Sequence, residues 1–221
     1  MRNSPTLPTY ASGASVRPQP PQALFAGTGA LVFAPAADMP DWVRDTFIDA
    51  GSPVHNPDHA HLRFADIGFL WTTVGNSKKG RRVIGQCETG SPQGTMGKWS
   101  RARAEQQVVE WFGSVPDFII TLDADYCREC GDAEFMALVE HELYHAAQDV
   151  DAFGAPKFSR STGRPVFVIR GHDVEEFVGV VRRYGADAAG VRAMVDAANQ
   201  KPEIARVQIA HACGTCQLRV A

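Results

Sequence analysis

His141, Glu142 and His145 stand in the order H-E-x-x-H within Val139-Glu140-His141-Glu142-Leu143-Tyr144-His145. On an α-helix the two histidines fall one turn apart on one face, with Cβ atoms about 5–6 Å apart. Two imidazoles so placed can hold one zinc ion at roughly 2.0–2.1 Å. Glu142 sits beside them and reaches a water in the open coordination position without being a ligand itself. The chemistry this spacing suits is hydrolysis by a metal-activated water, with Glu142 as general base.

The residues around the motif are those of a helix that must be anchored on a core. Asp132 is suited to the N-cap and Glu134 to the first turn, where the helix dipole favours a carboxylate. Phe135, Val139, Leu143, Ala146 and Val150 fall on one helical stripe. His141 and His145 lie outside that stripe, so core packing does not explain them. Upstream, Phe118-Ile119-Ile120-Thr121-Leu122 is the clearest strand, opened by Pro116 and closed by Asp123. Ile67–Val74 and Arg82–Gln86 read as two further strands joined through a hairpin loop at Gly75–Gly80. A short helix is expected after Pro40, burying Trp42, Val43, Phe47 and Ile48, and a longer one over Trp99–Phe112. After a loop at Ala152–Gly163 come a strand at Val166–Ile169 and two helices near Asp173–Tyr184 and Asp187–Asn199.

Composition sets the class. The chain has 221 residues, 44% hydrophobic and 21% charged, with a net charge of −3. These values fit one soluble domain with a real core. They oppose general charge-driven nucleic-acid binding, although a basic tip at Lys78, Lys79, Arg81 and Arg82 allows a local contact. No apolar run is long enough to span a bilayer, and the start lacks the charged-then-apolar pattern of a signal peptide. Residues 1–23, rich in Pro with Ser, Thr and Gln, are expected to be a disordered tail. The domain is expected over 24–221. His55, His59 and His61 share no helical spacing and read as hydrogen-bonding loop histidines.

Catalytic zinc usually has three protein ligands. The downstream candidates lie in Gly171-His172-Asp173-Val174-Glu175-Glu176-Phe177. His172 is favoured because it precedes a helix whose buried stripe is Val174, Phe177, Val178 and Val181; Glu176 is the alternative. A hydrophobic strand, an H-E-x-x-H helix and a later Gly-His resemble the SprT-like zincin pattern. The stretch from about Ala65 to Tyr184 is similar to the phage metallopeptidases. The insertion between His145 and His172 is longer than in SprT-like proteins.

That resemblance implies an α+β, zincin-like fold, with a small mixed or antiparallel sheet packed on helices. It also implies a zinc-dependent peptidase of phage or prophage origin, acting on proteins or peptides in the cytoplasm of a bacterial host. In such folds a strand edge aligns the substrate, and Phe118–Leu122 is the candidate; Tyr144 and Arg183 are candidate oxyanion donors.

Cys127-x-x-Cys130 and Cys213-x-x-Cys216 admit three readings: a four-thiolate structural zinc site, a redox dithiol, or separately packed thiols. Their wide separation gives the first no support from spacing. Cys87 has no evident partner. A rival to catalysis is a non-catalytic, metal-stabilised module binding nucleic acid or a host protein, drawing on the basic tip, Lys157, Arg160, Arg164, Arg170 and the paired cysteines. The intact Glu142 opposes it, since a structural metal needs no base beside it.

Overall fold

The computed structural model describes residues 16–27, 31–52, 54–78, 80–92, 94, 97–174, 178–188 and 190–201. In chain order these form β1 (Phe33–Pro35), α1 (Met39–Val43) continued by a π turn at Arg44–Ile48, and a 3-10 segment at Pro57–Phe64. Next come β2 (Ile67–Thr72), β3 (Asn76–Lys78), β4 (Arg81–Val83), β5 (Gly85–Thr89) and α2 (Lys98–Phe112). Then follow β6 (Phe118–Asp123), α3 (Ala124–Glu129), α4 (Asp132–His145), β7 (Ala146–Gln148), β8 (Phe167–Ile169), α5 (Val178–Ala188) and α6 (Arg192–Ala198). The fold is mixed α+β, with small sheets and several helices.

The main sheet has the order β1-β2-β6-β5. β2 and β6 run parallel, and β1 and β5 are antiparallel to their neighbours, so the sheet is mixed. β2 and β6 are buried on both faces, which is why each reads as a nearly unbroken apolar run. One face carries Phe69, Trp71, Phe118, Ile120 and Leu122 into a core shared with α1 and with Phe135, Leu138, Val139 and Leu143 of α4. The other face, with Leu70 and Ile119, packs on Val108, Trp111 and Phe112 of α2 in a smaller cluster. α4 therefore lies on the main core, with its apolar stripe inward.

Four expectations need correction. Ile67–Val74 and Arg82–Gln86 are not hairpin partners. The tight hairpin is β3–β4, and β5 crosses to pair with β6 because Gly85–Thr89 can bury Cys87 against Ile120 on the α4 side. β6 is hydrogen-bonded on both sides, so Phe118–Leu122 offers no free edge to a substrate; β1 and β5 are the edge strands. The N-cap of α4 is Gly131, whose N–H donates to Glu134 Oε2 at 2.9 Å, leaving Asp132 as the first helical residue. The helix also stops at His145, so Val150 is off the stripe and half exposed.

Of the expected tail, residues 1–15 lie outside the described residues. Pro18, Pro20 and Leu24 are buried, and the Arg17 side chain lies over the Phe135 ring at 5.1 Å.

Gly90, at the end of β5, is the tightest point of the sheet. Its N–H donates to Asp117 O at 3.1 Å, and a Cβ there would fall 1.8 Å from the carbonyl oxygen of Pro116. Backbone cannot rotate aside as a side chain can. Gly90→Ala should therefore cost about 1–3 kcal/mol, read as a lower urea midpoint at unchanged slope. An unchanged midpoint would show that the β5–β6 corner yields freely.

Candidate metal centre

The centre is built where α4 ends. Ala146 leaves the helix with extended backbone, and β7 pairs antiparallel with β8 in the register Ala146↔Ile169, Ala147↔Val168 and Gln148↔Phe167. The Arg170 N–H donates to His145 O at 2.9 Å, capping the last helical carbonyl. His61 Nε2 lies 2.8 Å from Ala146 O and braces the same corner. This ladder carries Arg170, Gly171 and His172 back over the last turn of α4.

His141, His145 and His172 each offer a ring nitrogen, and the three lie within 4.8 Å of one another. His172 Nε2 is 3.3 Å from His141 Nε2. Two nitrogens at about 2.05 Å from one tetrahedral zinc are about 3.3 Å apart, so the spacing fits that ion. The ring centroids are 5.1 Å apart for His141–His145 and 4.6 Å for His145–His172. His145 Nδ1 lies 2.7 Å from Arg170 O, so Nδ1 carries the proton and Nε2 presents its lone pair. One residue thus caps the helix through its N–H and fixes the imidazole tautomer through its carbonyl.

Glu142 is buried, 1% exposed. It faces β5 at Gly85, where a Cβ would come 2.6 Å from Glu142 Oε1 and 2.8 Å from Leu138 Cδ1. Only glycine lets the strand lie against this carboxylate. Cys87, on the same face of β5, is pushed well above the usual thiol range by burial, with the neighbouring Glu142 and Glu88 carboxylates adding to it. The base candidate is therefore screened from bulk water on its β5 side. Nothing about Gly85 alone marks it in the sequence; the signal is a glycine opening a strand beside an α4 partner, visible only once the two are paired.

The other flank of α4 is held by Asn56–His61. Asn56 accepts from the Asp58 N–H at 3.0 Å as the cap of the 3-10 segment. Its Nδ2 donates to Glu140 Oε1 at 2.8 Å and to the Tyr144 hydroxyl at 2.9 Å. The Tyr144 hydroxyl donates onward to Asp58 Oδ2 at 3.1 Å, so in this structure it is turned to the Asn56–Asp58 loop. His59 is buried, edge-on to Tyr144 at 4.6 Å between centroids. His61 is the hydrogen-bonding histidine expected, through Ala146 O, whereas His59 Nε2 is buried with no hydrogen-bond partner among the described residues; both stand in the 3-10 segment. The Asn-Pro-Asp run was the readable cap signal; its docking on Glu140 and Tyr144 was not foreseeable.

Arg183 is exposed on α5, its guanidinium 5.7 Å from the Tyr184 ring. Glu175, Glu176, Cys213, Cys216 and Lys79 lie outside the described residues, so the alternative ligand and the four-thiolate site have no geometry to weigh. Cys127 and Cys130 come together at the opposite end of α4 from the histidines. Several cations invoked for nucleic-acid binding are engaged within the chain: Arg82 with Asp123 at 2.7 Å, Lys157 with Asp149 at 2.8 Å, Arg164 with Asp117 at 2.9 Å, and Arg170 with Asp173.

A family model described as "Putative phage metallopeptidase" matches residues 40–199, well over half of the chain. No curated protein and no solved structure matches it.

The packed flank makes a prediction about pH. Burial lowers the His59 pKa to about 4, helped by the charge of His61 and opposed by Asp58. The unfolded chain takes up this proton near pH 6.5 and the folded one only near 4, so the contribution is complete above about 6.5 and lost as pH falls toward 4. The loss reaches up to about 3 kcal/mol. Urea unfolding of His59→Phe should show a shallower decline over that window than the unmodified chain. Parallel declines would mean that His59 is not the group responsible.

Proposed function

This chain belongs to the phage metallopeptidase family, and from that premise we propose that it is a zinc-dependent peptidase with a zincin-like active site. His141, His145 and His172 are the metal ligands, and Glu142 is the general base. The family match supports a metal-dependent peptidase activity. The observation that carries the assignment is the convergence of the three imidazoles within 4.8 Å, with the buried Glu142 next to His141 in the chain.

Zinc, when bound, lowers the pKa of a water and polarises a peptide carbonyl. The chain's own residues do the rest. Glu142, on the last turn of α4 and against Gly85 of β5, accepts the proton of the attacking water and delivers it to the leaving amine. The Arg170 carbonyl keeps His145 in the tautomer that binds through Nε2. β5, the sheet edge nearest Glu142, is the strand along which an extended substrate would align by main-chain hydrogen bonds. The substrate is a protein or peptide, met in the cytoplasm of a phage-infected or lysogenic bacterium. Among the described residues no helix is long and apolar enough to cross a membrane.

Two substitutions test the roles separately. Glu142→Gln should keep the fold and one zinc per chain while lowering peptide hydrolysis by ~10²–10⁴; near-normal cleavage of unfolded protein substrates would end the mechanism. His172→Ala should lose most of the zinc, since two imidazoles alone hold it weakly, whereas Glu176→Ala should retain it. Metal analysis of the purified variants reads this directly. The opposite pattern would transfer the third ligand to Glu176.

A further inference from the structure

At the N-terminal end of α4, far along the helix from the histidines, two cysteines and an arginine come together. Cys127 is buried on α3, and Cys130 is its C-cap, one residue before the N-cap of α4. Both are free thiols, and the Cys130 thiol donates to the Cys127 carbonyl oxygen at 3.6 Å, a bond given up on ionisation. The Arg17 guanidinium approaches from the N-terminal segment. It donates to Cys130 Sγ at 3.6 Å, to Gly131 O at 3.2 Å and to Cys127 O at 3.3 Å. Its Nε is 3.2 Å from Asp132 Oδ1, and the side chain is 13% exposed.

A guanidinium so enclosed needs negative charge as well as carbonyl oxygens. Asp132 supplies some from an exposed position; the neighbouring sulfur can supply more as a thiolate. We propose that Cys127 and Cys130 form a redox-active dithiol, with Cys130 the attacking thiolate, Arg17 its counter-charge and Cys127 the resolving thiol.

Electrostatics supports the division of roles. The hydrogen bond from Cys127, then those from Arg17, bring the Cys130 pKa down to about 7 against the opposing effect of partial burial. Cys127 is driven the other way by donating that hydrogen bond and by burial. Cys130 also stands at the positive end of the α4 dipole. It is half-buried and so partly open to solvent, whereas Cys127 is buried, 1% exposed.

The substrate class is a small-molecule disulfide. The Cys130 thiolate attacks one sulfur, the small S–S bond breaks, and one small thiolate leaves and takes up a proton. Cys127 then attacks Cys130 Sγ, the mixed S–S bond breaks, and the departing small thiolate takes up the Cys127 proton. The pair is oxidised by two electrons, and the small disulfide is reduced to two thiols. Oxidation also removes the sulfur charge that faces Arg17, loosening the segment it anchors.

The test uses the full chain with its metal, exposed to glutathione disulfide and mapped by peptide mass. The expected product is a Cys127–Cys130 disulfide, and Cys127→Ser should stop at a glutathione adduct on Cys130. The rate should rise with a pH midpoint near 7. Arg17→Gln should move that midpoint upward and slow the reaction several-fold at neutral pH, with Arg17→Lys in between. Should Arg17→Gln fail to fold, Arg17→Lys reads the same quantity. Three results would overturn the proposal: adducts forming first on Cys87, Cys213 or Cys216; a midpoint indifferent to both Arg17 variants; or thiols that react only after a chelator strips metal from them.

Discussion

Everything at the candidate metal centre depends on the pairing of three residues with three others immediately beyond a helix. Left to itself, Ala146-Ala147-Gln148 would extend α4, since alanine and glutamine are good helix formers. The antiparallel ladder with Phe167–Ile169 wins instead, and it ends the helix at the second histidine of the motif. Because the register sets Ala146 opposite Ile169, the next three residues of the returning strand must pass over the last turn of α4. His172 arrives there as a consequence of register. A slip by one residue would turn alternate side chains to the opposite face and remove the Arg170 contacts from His145.

The two flanks of α4 are built on different principles. Toward β5 the contact is apolar and close, and Gly85 lets the strand lie against the Glu142 carboxylate with no side chain between. Toward Asn56–His61 it is a polar network, with Asn56 joining Glu140 to Tyr144 and Asp58 closing the set. The dry side sets the Glu142 carboxylate in a low-dielectric environment, where charge interactions are stronger than in water. The polar side fixes the rotation of the helix, because Glu140 and Tyr144 precede the two histidines and share their neighbours' orientation. Loss of the network would turn both imidazoles together.

Sequence alone made legible what local period and motif spacing encode. β6, α2 and the body of α4 come from clear runs with turn or cap residues at their ends, and the three histidines came from spacing and a Gly-His before a helix. Pairing was not legible. β2 and β5 looked like neighbours because a loop of Gly, Asn, Ser and Lys lies between them, yet β3–β4 uses that loop and β6 separates the two strands. Buried on both faces, β6 could equally have been an edge or a centre by its apolar run alone. The β7 segment was hidden for the opposite reason: its residues have the wrong propensity, and only the partner strand overrides it. Arg17 was concealed within a Pro-rich stretch whose composition looks unstructured, although Pro18 and Pro20 are buried.

α4 joins these features as one electrostatic object. Its 14 residues span about 21 Å, with the thiols at one end and the imidazoles at the other. The peptide dipoles leave partial positive charge at the N-terminus, where Glu134 answers the Gly131 N–H and the Cys130 sulfur stands just outside the first turn. They leave partial negative charge at the C-terminus, where a cation among the histidines is favoured. Reversing the helix would set a metal cation against the positive end and a thiolate against the negative one. The order C-x-x-C, then helix, then H-E-x-x-H is therefore the electrostatically favourable order for the two centres, and each end is stabilised by the same aligned backbone that fixes the distance between them.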